Sequence, residues 1–382
     1  MKSFIIYLKC SVCGEIFEHT QVQRFCQNCN APLIAVYDYD AIRESVDRDS
    51  FKSRVSSMWR YFEFLPVIDE KNVISLGEGW TPLLKLKRFG GMLGLDNLYL
   101  KDESFNPTLS FKARGLSCAV SKAFELGIEK IALPTAGNAG SALSAYCAKA
   151  GIKCFVSAPK DTPQLILKEC EFYGAEVALV DGLISDAGKI VQSRSEFFDI
   201  STMKEPYRLQ GKKTLGFEIV EQLGWEVPDW IIYPTGGGTG LIGIWLAIEE
   251  MIKSGLIEKK FPKMVAVQSS GCAPIVKAFK EGKERAEFWE DAKTIAYGLR
   301  VPKPFADRLI LKIIRESGGF ALEVEDEDML KMMKQIAEFE GIFLCPEGSA
   351  TAVAVEKLVS DGFVKREDVV VIFNTASGLK YL

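Results

Sequence analysis

A single histidine, His19, stands among 382 residues. That scarcity excludes any metal centre built on two or three imidazoles, and a Ser-His-Asp or Cys-His hydrolase would have to use His19 itself. Acid–base chemistry near neutral pH therefore falls to Lys, Asp, Glu, Tyr, Cys or a cofactor. Excess positive charge is missing as well: 47 Lys and Arg stand against 51 Asp and Glu, a net charge of −4. Binding nucleic acid requires a basic surface that neutralises phosphates, so no such partner is expected. Long apolar stretches are absent too. Leu241–Ile248 runs only eight residues before Glu249, far short of the ~20 of a bilayer span. Phe4–Leu8 is too short for the apolar region of a signal peptide. The expectation is a cytoplasmic chain with no membrane partner. Internal repeats and low-complexity tracts are lacking, and the length suggests two or three domains with ample material for a buried core.

Cysteine, by contrast, is plentiful. Six of the ten are scattered singly (Cys118, Cys147, Cys154, Cys170, Cys272, Cys345) and read as small buried hydrophobes. The other four form Cys10-x2-Cys13 and, twelve residues on, Cys26-x2-Cys29. Two such knuckles close a tetrahedral four-thiolate site, so 1–36 reads as a zinc ribbon whose Zn2+ is structural, because four thiolates leave no open position for catalysis. The segment is too small for a core of its own, and the metal is expected to hold it folded. His19, inside the spacer, is expected in solvent rather than on the metal. An empty or redox-active knuckle pair is the alternative.

Residues 37–75 read as a linker with helices. Beyond them, short apolar runs alternate with amphipathic stretches: strands at 97–100, 130–133, 153–157, 176–180, 230–233, 264–268 and 369–373, with helices such as 115–126, 139–150 and 240–253 between. This βαβα rhythm predicts an α/β fold with mostly parallel sheets. In such folds ligands bind beyond the carboxyl ends of the strands, and three strand-to-helix turns there carry unusual chemistry.

The first is Asn106-Pro107-Thr108-Leu109-Ser110-Phe111-Lys112-Ala113-Arg114-Gly115, with Ser110 as the expected N-cap and Lys112 in the first helical turn. The positive end of the helix dipole disfavours an ammonium, which favours the nucleophilic amine; a solvated surface lysine is the plain alternative. The second is Pro134-Thr135-Ala136-Gly137-Asn138-Ala139-Gly140, where small residues and helix-start N–H groups form a carboxylate nest or simply a tight turn. The third is Pro234-Thr235-Gly236-Gly237-Gly238-Thr239-Gly240, which has the parts of a phosphate cradle but lacks the Lys-Ser/Thr ending of a triphosphate loop. Gly238-x-Gly240-x-x-Gly243 also matches the dinucleotide spacing, but the next strand ends at Gln268 where that fingerprint wants an acid.

A phosphate cradle, an amine nucleophile and a carboxylate nest together suit pyridoxal phosphate chemistry. The chain resembles the fold-type II pyridoxal-phosphate-dependent enzymes (the tryptophan synthase beta-like superfamily), most closely their threonine synthase branch. The resemblance rests on Ser75-Leu76-Gly77-Glu78-Gly79-Trp80-Thr81-Pro82-Leu83, on Asn106–Gly115, on Thr135–Ser141, on Pro206-Tyr207-Arg208 through Gly211-Lys212-Lys213-Thr214, and on Asn374-Thr375-Ala376-Ser377-Gly378-Leu379-Lys380. It implies a Schiff-base role and proton transfer for Lys112. Asn138 would contact the cofactor's 3′ oxygen, Gly236, Gly237, Gly238, Thr239 and Gly240 its phosphate, and Thr375 its pyridine nitrogen. Thr135, Ala136 and Gly137 would take an amino-acid substrate's carboxylate, and Ser110 and Arg208 a substrate phosphate. The implied architecture is a homodimer of two-lobed chains, with a large lobe of 37–117 and 207–382 and an inserted small lobe of 118–206. The implied reaction converts O-phospho-L-homoserine and water to L-threonine and phosphate. Two details depart from that branch: Leu109 and Ala113 flank the lysine motif, and the loop 234–240 has no asparagine. The triple-glycine loop resembles threonine/serine dehydratases and diaminopropionate ammonia-lyase, whose β-elimination is the second expectation. A catalytically idle binding protein is the third.

Overall fold

Ile5, Leu8 and Cys10 are the buried residues of Ile5–Cys10, with a register shift between Ile5 and Tyr7, and this segment, β1, is the centre of a small antiparallel sheet with β2 (Ile16–Phe17) and β3 (Leu33–Tyr37). The structure, a computed structural model, describes residues 1–382. Leu8, Leu33, Ala35 and Tyr37 are buried in the same apolar cluster as Leu215, Ile219 and Ile244 of the main body. Tyr37 Oη donates to Gln210 Oε1 at 3.1 Å. The ribbon's size suggested a segment held by a metal alone, but its apolar face extends a larger core. His19 is half-buried at this junction rather than free in solvent, and its carbonyl accepts from Tyr207 Oη.

The stretch 37–75 carries helices, as expected: Tyr39–Ser45 and a 3-10 segment, Met58–Phe64. All seven residues of the latter are buried, so this part belongs to the core rather than to a linker. Tyr61 stacks on Phe217 at 5.1 Å, and Arg60 and Tyr61 both bind the Glu221 carboxylate.

After β4 (Leu83–Lys85) and β5 (Asn97–Asp102) the chain builds a separate four-stranded sheet from β6 (Lys130–Pro134), β7 (Lys153–Pro159), β8 (Glu176–Val180) and β9 (Phe198–Asp199), in the order β8-β7-β6-β9 and parallel throughout. It then returns to the first sheet with β10 (Trp230–Pro234), β11 (Lys263–Ser269), β12 (Phe320–Val324) and β13 (Val369–Asn374). The resulting six-stranded order is β12-β11-β10-β13-β5-β4, parallel except for β4 at the edge. β10 and, up to Phe373, β13 read as unbroken apolar runs because both of their faces are covered. Ile231, Tyr233, Val371 and Phe373 feed one core, and Trp230, Ile232, Val370 and Ile372 feed another on the opposite face. The α/β architecture with parallel-rich sheets is thus present. No helix is long and apolar enough to cross a membrane.

Two helices hold the sheets together. Lys112–Glu125 follows β5, and its Ala113, Leu116 and Val120 belong to the core of the four-stranded sheet, together with Ile131, Leu133 and Val156. Tyr207–Gln222 packs across it. Between them lies a fully buried quartet. Arg114 Nε meets Glu103 Oε2 at 2.6 Å, Arg114 Nη1 meets Glu218 Oε1 at 2.5 Å, and Lys101 Nζ meets Glu218 Oε2 at 2.9 Å. Two cations against two carboxylates leave no net charge, which is the condition for burying ions without a large desolvation penalty. Arg114 lies two residues after Lys112, so the quartet also fixes where the first turn of that helix begins.

Candidate active site

The carboxyl ends of β6, β10 and β13 and the start of the helix Lys112–Glu125 face one cavity of about 380 Å³. Its wall contains Lys112, Thr135, Ala136, Gly137, Asn138, Gly236, Gly237, Gly238, Thr239, Gly240 and Thr375. Residues more than 260 positions apart in sequence thus come together. Ser110 and Arg208 are not in that wall. Ser110 does not cap the helix either: its backbone is extended (φ −157°, ψ 155°) and bridges Ala376, while its buried Oγ has no partner. Phe111 occupies the cap position without a side-chain cap.

Lys112 is pushed down to about 8, first by burial and then by the nearby Arg208 cation, with the Glu347 carboxylate acting the other way. Its Nζ lies 4.4 Å from the Phe111 ring centroid. On the same ring, at 3.9 Å, lies Lys212 Nζ, which donates to the Phe111 carbonyl; burial and the neighbouring Lys112 hold it well below the ordinary lysine range. Arg208 acts from behind the wall. Its Nη1 donates to the Ile200 carbonyl at 2.8 Å, and its buried Nε has no partner. The Phe111 N–H donates to the Thr375 carbonyl at 2.9 Å, which ties the start of the lysine helix to the turn after β13.

The asparagine turn is wound around Thr135. Its Oγ1 accepts from the N–H groups of Gly137 (3.1 Å) and Gly140 (3.3 Å) and donates to the Gly137 carbonyl (2.7 Å). Two amides of the expected nest are therefore already engaged. Asn138 Nδ2 donates to Tyr381 Oη at 3.1 Å, and Tyr381 in turn donates to Glu347 Oε1 at 3.1 Å, which also accepts from the Gly298 N–H at 2.7 Å. Asn138 Oδ1 and Glu347 Oε2 remain buried without partners. In the glycine loop Gly238 has φ +81° and starts the helix Thr239–Lys253. A Cβ at Gly236 would lie 2.2 Å from the Gly298 carbonyl oxygen, and one at Gly240 2.0 Å from Tyr233 Oη. Bare backbone is thus a steric requirement here, and it leaves N–H groups facing the cavity at a helix N-terminus. An amine free of carboxylate partners, an unpartnered Asn138 oxygen and a glycine cradle fit a phosphate-bearing aldehyde cofactor.

Sequence reasoning missed Glu347, Tyr381, Tyr233 and Arg300, all in the wall. Arg300 makes a bidentate pair with Asp161 (2.7 and 3.0 Å), joining the segment after β7 to the segment before the helix Asp307–Glu316. Nothing local distinguishes these residues from other acids, tyrosines or arginines. Tyr233, directly before the glycine turn, and Tyr381, six residues past Thr375, had a nearby motif to point to them.

Away from the cavity, the thiol sulfurs of Cys10, Cys13, Cys26 and Cys29 lie within 4.8 Å of one another, Cys13 and Cys26 at 3.8 Å. Thiolates held tetrahedrally at a Zn–S distance of about 2.3 Å sit about 3.8 Å apart, so this donor set fits a metal ion.

A family profile described as "Pyridoxal-phosphate dependent enzyme" matches residues 74–375. The threonine synthase of Methanocaldococcus jannaschii is 36% identical over 375 residues, 97% of this chain and 92% of that protein. The threonine synthase of Methanosarcina acetivorans is 36% identical over 378 residues, 98% of this chain and 92% of that protein. Among solved structures, threonine deaminase isoform 2 from Solanum lycopersicum superposes with a TM-score of 0.67 at 18% identity, covering 85% of this chain and 92% of that one. An L-serine ammonia-lyase from Rhizomucor miehei does so with a TM-score of 0.67 at 22% identity, covering 78% and 93%. At these identities the structural likeness is one of fold.

Proposed function

This chain belongs to the pyridoxal-phosphate-dependent enzyme family, and from that premise we propose that it acts as a threonine synthase, converting O-phospho-L-homoserine and water to L-threonine and phosphate. The observation that carries the reading is the 36% identity to threonine synthases across 97–98% of the chain, a span that must take in nearly all of the cysteine ribbon as well as the cavity.

Pyridoxal phosphate, when bound, supplies an electron sink that makes protons near a substrate's amino carbon removable. The residues would share the work as follows. Gly236, Gly237, Gly238, Thr239 and Gly240 hold the cofactor phosphate, Asn138 faces its 3′ oxygen, and Thr375 faces its ring nitrogen. A hydroxyl at that last position cannot protonate the ring as a carboxylic acid would, which suits elimination and replacement chemistry. Lys112 would hold the cofactor and move protons, and its depressed pKa of about 8 keeps a useful fraction as free amine near neutral pH. Thr135, Ala136 and Gly137 hold the substrate carboxylate. Arg208, with a free Nε behind Lys112, and Ser110, with a free Oγ, remain the buried groups offered to a substrate phosphate. Arg300, Lys204 and Lys303 are the cations already in the wall. The large lobe (37–117 with 207–382) and the small lobe (118–206) would close on the substrate, in a homodimer. Zinc would occupy the four-cysteine site; Cys13→Ser with Cys26→Ser is expected to remove one zinc per chain in elemental analysis.

A β-eliminating reading is favoured by one feature, the triple-glycine loop without asparagine. A paired assay separates the two. Equimolar threonine and phosphate from O-phosphohomoserine upholds the synthase. A 2-oxo acid from threonine or serine, with no phosphate released from O-phosphohomoserine, overturns it.

A further inference from the structure

A groove of about 750 Å³ lies between the cysteine ribbon and the helix Asp307–Glu316. Ser11, Val12 and the turn 29–32 form its ribbon side. Its charge runs against that of the chain. Lys204, Arg285, Lys303, Arg308, Lys312 and Arg315 line it against only Glu284, Asp307 and Glu316, a local surplus of three positive charges in a protein whose net charge is −4.

The three acids offset half of the six positive charges, but only one of them does so by a salt bridge. Asp307 is turned to the backbone, accepting from the N–H groups of Ala286 and Arg308. Glu316 pairs, at 3.8 Å, with Lys312, the one lining cation that has a salt bridge. Arg315 donates to the Lys283 carbonyl at 2.6 Å and Lys303 to the Ala286 carbonyl, contacts that satisfy N–H groups without cancelling charge. Arg308 Nε is buried with no hydrogen-bond partner. Holding guanidinium and ammonium groups together with a donor unsatisfied is unfavourable until an anion arrives, and guanidinium groups match phosphate oxygens two bonds at a time. The volume suits a small molecule. Lys204 and Lys303 line this groove and the catalytic cavity alike, so the two spaces share a wall.

We propose that this groove is an anion-capture vestibule that binds phosphate-bearing small molecules and delivers them to the catalytic cavity past Lys204 and Lys303. That the delivered molecule is the substrate rests on the threonine synthase reading; that the groove binds phosphate does not. A concave surface of one charge sign concentrates its counter-ions and speeds their entry, an effect that salt erases. The ribbon would then have a task besides folding, since it forms one side of the entrance.

The test uses the holoenzyme and the variant Arg285→Gln/Arg308→Gln/Arg315→Gln, whose three sites all lie outside the catalytic wall. Binding of inorganic phosphate is followed at low salt by the broadening of its phosphorus resonance, and kcat/KM for O-phosphohomoserine is measured across a salt series. The variant is expected to bind phosphate at least about 10-fold more weakly. Its kcat/KM should fall about 3- to 10-fold at low salt, with kcat unchanged and the difference gone near 0.5 M salt. The corresponding triple Lys variant, which keeps the charge, should recover kcat/KM. Equal phosphate broadening in variant and parent overturns the proposal, as does failure of the Lys variant to recover. Weakened phosphate binding in an enzyme that does not turn over O-phosphohomoserine upholds the vestibule and overturns the synthase reading instead.

Discussion

The depressed pKa of Lys112 can be tested without knowing the substrate. An ordinary lysine titrating at about 10.5 has roughly one neutral amine in a thousand at pH 7.5, whereas one titrating at about 8 has roughly one in four. At equal intrinsic reactivity this is an advantage of about 200-fold in forming a covalent bond with an aldehyde near neutral pH. The assay mixes cofactor-free protein with pyridoxal phosphate between about pH 6.5 and pH 10 and follows covalent capture by absorbance. The rate should climb about tenfold per pH unit and level off near pH 8. Neighbouring charges set the sign of two variants. Glu347→Gln removes the carboxylate that favours the ammonium, so the plateau should begin at lower pH; Arg208→Gln removes an opposing cation, so it should begin higher. Stability follows the same groups. Between about 8 and 10.5 the unfolded chain carries the extra proton, so cofactor-free protein should gain stability as pH rises through that window, by at most about 3 kcal/mol from this lysine. A wild-type rate that keeps climbing to pH 10, or variants that shift in the opposite order, would refute the reasoning.

Two further substitutions probe the frame around the site. Gly240→Ala drives a Cβ to 2.0 Å from Tyr233 Oη, whereas at Gly137 a Cβ meets nothing within 4 Å; urea denaturation should show a loss of about 1–3 kcal/mol for the first and within about 0.5 kcal/mol of the parent for the second, and equal losses would count against the cradle geometry. Arg114→Met leaves two buried carboxylates, Glu103 and Glu218, with only Lys101 beside them, and should cost about 3–5 kcal/mol in the same experiment. Adding Glu103→Gln should return part of that, and a loss below about 1 kcal/mol would mean the quartet does not hold the two helices.

The strands that could be located from sequence were those whose apolar character is continuous. Trp230–Pro234 and Val369–Asn374 are covered on both faces, so every position but the terminal Asn374 is apolar, and the expected runs fell within one residue of the observed ends. β12 is short and its apolar run is broken by Glu323, which pairs with Lys280 at the surface, and it was not recognised. Nor were β4 and β9, of three and two residues, which carry too little pattern. That the aromatic stretch Met58–Phe64 is core could not be read locally, because its partner, Phe217, lies about 150 positions away. At the site, lysine, asparagine and glycine turns could be recognised because each chemistry sits on one strand-to-helix junction. Glu347 and Arg300 could not, since they enter the wall singly from other elements and acquire meaning only from their neighbours there.

The place of β13 bears on how the protein comes to exist during synthesis. It is the last strand in chain order, yet it sits between β10 and β5 and is the sole link between the pair β4-β5 and the trio β10-β11-β12. Until residues 369–374 emerge from the ribosome, the two halves of that sheet each present an open edge where β13 will lie, and the lysine turn lacks the Thr375 carbonyl that anchors it. A nascent chain in this state should be a substrate for chaperones and prone to edge-to-edge association. Closure of the sheet and assembly of the candidate site are therefore expected as one event, and a product truncated before residue 369 would lose the fold's centre along with that site.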